Sequence, residues 1–545
     1  MPNISIWTSE TMRRYTRLLI LCIVAMLPCV ATFAAPPRLV VNIVVGSMSS
    51  NDLDRFAPNL TEGGFRRIMQ DGVTYTQAYY DFSTLSTASG LATLSTGATP
   101  AVHGVVGERW WSHTDAKPVW LVNDSKARPI EFSTGSAGYS AHRLTAPTYG
   151  DMLLASNSSS KQFSIALEPL SAIVLNGKHG TPLWAEKNQS YWTTSSAFCD
   201  RLPQWIIDYN KQDSNKEHLI NRWQPIYKAA TYRNSEVAII EGIRNKHTQL
   251  ITDVNLNLDD SLYSTLLYTP AGNTATLRFA EQIIRNEGLG LDTDTDILNI
   301  YLDAARHIVQ IYGPESMEYE DMIYRLDKDI IWFLDSLYAH VGRASDVVII
   351  VTSDHGTSPS FNPANSEPRF RLNHRQMEVI VNAFLGSRYG TDNYVAGYAN
   401  KGLYLNHATI AKRELVLRDV CDDVANFLIQ LQGISNAISA YSMRNTCFSH
   451  GRSMLMQQSF FCNHSGDILI DLDPGCIIES NEHRSLPSAG YNYDRHVPLI
   501  ISEGGSENRR VEEHISMCSL APTLCHIMQI DSPWATEAAI LPQFK

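Results

Sequence analysis

The segment Val351-Thr352-Ser353-Asp354-His355-Gly356 sets an aspartate and a histidine directly after a β-branched apolar run. A carboxylate and an imidazole at a strand end can both face one divalent metal when the chain turns at the glycine. The same pair also suits a plainer role, with the aspartate capping the turn and the histidine on the surface. No C-x-x-C pair occurs anywhere, which argues against a cysteine zinc site.

The elements that must position such a pair follow from the hydrophobic pattern. Arg38–Val45 (RLVVNIVV), Ile297–Leu302 and Asp346–Val351 are continuous apolar runs, as expected of strands buried on both faces of a parallel sheet. Phe163–Ala166, Ile173–Leu175, Glu378–Phe384, Gly466–Leu472 and Val497–Ile501 read as further strands. Helices are expected around Gly63–Gln70, Glu318–Val341, Arg413–Leu431 and Met517–Met528, and Leu85–Ser95 reads as a loop running into a helix. Strands alternating with helices predict an α/β protein with a doubly wound, mostly parallel sheet. Such sheets bind ligands at the carboxyl ends of their strands. Residues 35–107 and 294–545 form the expected core. Residues 108–293 are polar and irregular and read as an inserted cap that also lends a core strand near 163–175.

The chain has 545 residues and a formal net charge of −12, which argues against an extended nucleic-acid surface. Arg13, Arg14 and Arg17 precede an apolar run, Leu18–Val30, and then ATFAA. This is the pattern of a signal peptide, 1–34, cut after Ala34. Export to a periplasm is expected, with no transmembrane anchor after cleavage. Of the cysteines beyond it, Cys447, Cys462 and Cys476 are the expected source of a disulfide.

Eight ordered blocks carry a wider resemblance. They are GGFRRIMQDGVTYTQAYY, STASGLATLSTGATPAVHGVVGERWW, YWTTSSAF with LPQWIIDYN, YGPESMEYEDMIYRLDKDI, VIIVTSDHG, SGDILIDLDPG, YNYDRHVPLI and SLAPTLCHIM. Together they resemble the alkaline phosphatase superfamily, in its nucleotide pyrophosphatase/phosphodiesterase branch of bacterial periplasmic alkaline phosphatase type. The resemblance implies an alkaline-phosphatase-like fold and hydrolysis of phosphate esters by two zinc ions and a threonine nucleophile.

Carried over residue by residue, the resemblance implies an uneven site. Thr87 stands at the nucleophile position, although a threonine at a helix start is equally an N-cap. Asp354 and His355 stand at two ligand positions of the metal that activates it. The third ligand, an aspartate after the first strand, is Gly46 here. At the second metal, Arg306, Gln310 and Pro487 replace all three ligands, and neither an arginine nor a proline can ligate zinc. His496 is the second, structural histidine of its block. The phosphate-contact positions are Glu108, Glu168 and Leu170, where carboxylates would repel a phosphate dianion. Asp303 and His307 repeat the lost Asp-x-x-x-His spacing three residues early, and Glu482 and His483 lie near Pro487.

The expectation is therefore a catalytically impaired pseudophosphatase that serves in binding or scaffolding, with an unknown protein or an anionic ligand as partner. No two-zinc centre is expected, and at most one weakly bound zinc at Asp354 and His355. The alternative is an active phosphomonoester or phosphodiester hydrolase using Thr87 and a reduced or rebuilt metal site. A third reading makes Arg306 the anchor of an anion or glycan receptor walled by Trp110, Trp111, Trp184 and Trp192. Aromatic residues of that kind are also ordinary core.

Overall fold

The computed structural model describes residues 35–133, 138–187, 191–212, 223–234, 262–359, 371–478, 485–487, 489–504 and 508–545. The expected leader and the pair Glu482 and His483 lie outside the described residues. The β-branched runs Leu39–Val45, Asp296–Leu302 and Val347–Thr352 form three central strands, and every residue in them is buried. Leu39–Val45 lies between the other two and is parallel to both. The sheet continues on one side through Gln162–Ala166 and Thr181–Ala185, both parallel, to the antiparallel Trp192–Thr193. On the other side follow antiparallel His496–Glu503, then Gly72–Tyr79, with Arg509–Val511 and Ile515–Ser516 parallel to the last. This is the large, mostly parallel sheet of an α/β protein.

Side chains alternate between the two faces of a strand, and the core divides accordingly. Val41, Ile43 and Val45 pack with Ile283, Ile308 and Phe333 from helices Ala271–Glu287, Asp303–Tyr312 and Met317–Val341. Val40 and Val44 pack with Leu91, Ile173 and Leu520 from helices Thr87–Thr96, Pro169–Asn176 and Leu520–Ile527. Each such side chain contributes about 1.5–3 kcal/mol of hydrophobic stabilisation.

Two expected strands are helical. Ile173–Leu175 lies in helix Pro169–Asn176, which starts with proline at its first position and is buried nearly all round, so it shows no amphipathic period. Glu378–Phe384 lies in helix His374–Tyr389. There Met377, Val381 and Leu385 form the buried stripe at helical spacing, while Val379 and Ile380 face solvent at 68% and 41% exposure. Asn373 fixes the helix start by accepting from the Arg375 and Gln376 amides.

Residues 108–293 were expected mainly as a cap, but they supply three strands of the central sheet and helices on both of its faces. Trp184 and Trp192 are fully buried, and Trp192 stacks on Phe279 at 4.4 Å. A separate core lies between 371 and 478 instead. It is built on an antiparallel sheet, ordered Val395–Ala399, Gly402–Leu405, Ile468–Leu472, Ile434–Ser439, under helices His374–Tyr389 and Leu417–Leu428. The expected strand at 466–472 belongs to this second sheet. Cys447 and Cys462 are exposed free thiols and Cys476 is a free thiol buried in this separate core, so the disulfide expected among these three is not formed. Among the described residues no helix is long and apolar enough to cross a membrane.

Candidate functional site

The three central strands end at one level. Val44 is in register with both Tyr301 and Thr352, so Gly46, Asp303 and Asp354 all follow just past the sheet's carboxyl edge. Helix Thr87–Thr96 is brought to the same edge. Ser86 and Ser89 close a reciprocal capping box at its start. Gly90 then lies so close to the strand end that a Cβ there would come within 1.9 Å of the Asp354 carbonyl oxygen. This close approach sets Thr87 beside the Asp354 turn.

The turn itself is held by hydrogen bonds. Asp354 Oδ1 accepts from the Ser47 amide at 2.9 Å, and Ser353 Oγ accepts from the Met48 amide and donates to the His355 carbonyl. His355 is buried, with Nε2 3.3 Å from Asp354 Oδ2 and Nδ1 2.6 Å from the Gly356 carbonyl oxygen. The plainer alternative of a surface histidine is therefore excluded.

Tyr301 was not singled out in the sequence, yet it is the centre of this cluster. Its hydroxyl donates to Asp354 Oδ2 at 2.8 Å and lies 3.5 Å from Thr87 Oγ1. A Cβ placed on Gly46 would lie 2.8 Å from the same hydroxyl, 2.8 Å from Arg306 Cβ and 3.1 Å from the Leu302 carbonyl. Burial, and next the Asp354 carboxylate, raise the Tyr301 pKa well above its usual value, so the phenol remains a donor. The signal in the sequence was a tyrosine next to the end of a buried strand, because a buried phenol must find a partner.

A second knot holds the remaining positions. Arg306 pairs with Glu168, lies 3.6 Å from Asp303 Oδ1 and 3.1 Å from His307 Nε2. Glu168 also meets His307 at 3.2 Å. Burial would raise the Glu168 carboxyl, but Arg306 and then His307 outweigh it and hold the group well below the usual range. Glu108 feels the charges of Arg306 and Glu168, and burial raises its carboxyl. Asp303 opens its helix and accepts from the Leu167 and Glu168 amides and the Ser171 hydroxyl. Asp303 and His307 are thus committed to the Glu168 side of the knot. Leu170 is partly buried against the core on the sheet face that carries helix Thr87–Thr96.

Gln310 and the segment that carries Pro487 are linked through neighbouring residues. The Gln310 carbonyl accepts from the Ser485 amide at 3.4 Å, and the Leu486 carbonyl accepts from Ser358 Oγ at 2.8 Å. His496 stands apart, stacked on Tyr79 at 4.4 Å with its Nε2 on the Thr76 carbonyl. Trp110 is stacked on His464 at 4.1 Å, in the packing between the 109–120 hairpin and the second sheet.

These residues do not fit a two-metal centre. Arg306, Gln310 and Pro487 offer no ligand set. On the nucleophile side the Tyr301 hydroxyl stands among Thr87, Asp354 and the Gly46 position, which are three of the four places that would surround an ion. Zinc needs its ligand atoms at roughly 2.0–2.3 Å, and the Tyr301 hydroxyl, hydrogen-bonded to Asp354 Oδ2 at 2.8 Å, occupies that carboxylate oxygen.

A central parallel sheet with this strand-end cluster defines the class. The chain belongs to the type I phosphodiesterase/nucleotide pyrophosphatase family, whose model matches residues 40–497. Within that class the similarity runs to alkaline phosphatases. Alkaline phosphatase PafA of Elizabethkingia meningoseptica is 28% identical over 94% of this chain and 96% of its own length. Alkaline phosphatase PhoV of Synechococcus elongatus is 25% identical over 92% of this chain and 91% of its own. The crystal structure of wild-type PafA matches with a TM-score of 0.85 at 26% identity, covering 94% of this chain and 99% of that one. The fold is thus that of an alkaline phosphatase.

Proposed function

We propose that this chain is an exported, alkaline-phosphatase-like protein that has lost phosphoryl transfer and serves in binding or scaffolding. The observation that carries this reading is the Tyr301 hydroxyl bonded to Asp354 Oδ2 at 2.8 Å, beside Thr87. A metal that activates a threonine must touch both the hydroxyl and its carboxylate ligand. Here a neutral phenol links them instead. It supplies no Lewis acid and no base.

The second vacancy is closed in a complementary way. Arg306, at a lost ligand position, neutralises Glu168, at a lost phosphate-contact position. That pairing leaves Arg306 committed to a carboxylate rather than open to an anion. Partners of the protein are then bound through surfaces away from the strand ends. Export is supported by the leader-like sequence of 1–34.

A hydrolase reading draws on the convergence of Thr87, Asp354 and His355, and it requires Tyr301 to leave Asp354. Turnover of an aryl phosphate, an aryl phosphodiester and an aryl sulfate, measured with zinc in excess, separates the two. The proposed outcome is equal, background-level rates for the wild type and Thr87→Ala. A rate that falls on Thr87→Ala would establish the hydrolase.

A further inference from the structure

Away from the strand ends, one group of side chains has the composition of a metal site. The donor atoms of His113, His407 and Asp467 all lie within 4.8 Å of one another. They come from three distant parts of the chain. His113 sits at the turn of the hairpin Arg109–Ser112/Lys117–Trp120, His407 opens helix His407–Lys412, and Asp467 directly precedes strand Ile468–Leu472.

The three donors gather around the Asp467 carboxylate. His407 Nε2 is 2.8 Å from Asp467 Oδ1, and His113 Nε2 is 3.4 Å from Asp467 Oδ2. The two imidazoles lie side by side, 3.8 Å between centroids and 11° from parallel, with both Nε2 atoms beside the one carboxylate, so binding one ion needs the rings to tilt toward it. Asp467 is buried, and the Leu405 amide fixes its Oδ2 at 2.7 Å. That backbone donor is the outer-shell support that orients ligating carboxylates. Around a tetrahedral zinc with bonds of about 2.0 Å, neighbouring ligand atoms are roughly 3.3 Å apart. The two measured histidine–carboxylate separations bracket that value.

We infer that His113, His407 and Asp467 form a site for zinc or another borderline divalent cation, and that the ion clamps the hairpin to the second sheet. Two imidazoles and one carboxylate are a donor set suited to such cations. Because His113 is on the exposed side of the group, water completes the coordination. The clamp acts where the hairpin already meets the second sheet, through Asn400 Nδ2 donating to the Arg109 carbonyl and Trp110 stacking on His464. Fixing the histidine turn adds a constraint between segments almost 300 and more than 350 residues apart in sequence. Its role is structural, and it shares no residue with the Thr87–Tyr301–Asp354 cluster.

The test uses the full mature chain, stripped with a chelator, exposed to zinc chloride, desalted and analysed for metal. His113→Gln and His407→Gln are the variants. His113 is, as a whole residue, the more exposed of the two histidines, and circular dichroism checks the fold of both variants. The wild type is expected to retain one zinc ion per chain, both variants at least tenfold less. Zinc is also expected to raise the melting temperature of the wild type and leave that of His113→Gln unmoved. Zinc content in His113→Gln equal to wild type overturns the inference, and so does a wild type that retains no zinc.

Discussion

Gly46 and Tyr301 act as one substitution in two places. The glycine leaves room for the phenol, and the phenol donates to Asp354, the contact that under the proposed function stands in place of an ion. Reintroducing the family's carboxylate alone should therefore harm the protein. Gly46→Asp forces a Cβ to 2.8 Å from both Arg306 Cβ and the Tyr301 hydroxyl, so it should destabilise by about 1–3 kcal/mol without adding turnover. Urea denaturation of the variant checks this. Tyr301→Phe keeps the ring and removes the donor to a buried carboxylate oxygen, which should cost about 1–2 kcal/mol in the same assay. Had the two residues been unrelated, the costs would add in the double variant. Their contact predicts a clear departure from additivity.

At the scale of elements, the helix that carries Thr87 is fixed by His103. Its Nδ1 accepts from the Val105 amide at 3.0 Å, and Nε2 lies 3.1 Å from Thr93 Oγ1, which describes a neutral ring donating to the threonine. Burial lowers the His103 pKa to about 3. The folded state thus binds fewer protons than the unfolded state between pH 3 and about 6.5, so stability falls as pH drops through that window. Between pH 6.5 and 5 the loss is about 2 kcal/mol from this residue. Melting temperatures across pH 4–8 should show a shallower acid loss in His103→Gln than in the wild type.

Elements were legible in the sequence where one rule dominated. The fully buried strands at 39–45, 296–302 and 347–352 are unbroken β-branched runs, and they fix where the site must lie. Ile173–Leu175 and Glu378–Phe384 misread because a short β-branched run carries no period of its own, and capping and packing decide it. The positions of Gly46, Arg306, Gln310 and Pro487 came from ordered motif blocks, and the structure sets Gly46 against Arg306 just past the sheet edge. Tyr301 could not be weighed against them, since its importance is a distance to Thr87 and Asp354 created only by folding. The His113–His407–Asp467 group was hidden for the same reason, with its members spread over 354 residues of sequence.

For the whole molecule, an alkaline phosphatase fold is kept on a chain whose strand-end cluster is closed by its own side chains. The central sheet, both helical layers and the second sheet are all present among the described residues. Under the proposed function, such a chain keeps its shape and surface for binding rather than for phosphoryl transfer. The most direct check is a crystal grown from the mature chain, soaked in zinc and measured at the zinc absorption edge. The account predicts the Tyr301 hydroxyl on Asp354 and no anomalous peak within coordinating distance of Thr87, Asp354 and His355. A zinc peak bonded to those three residues, with Tyr301 swung away, would contradict it.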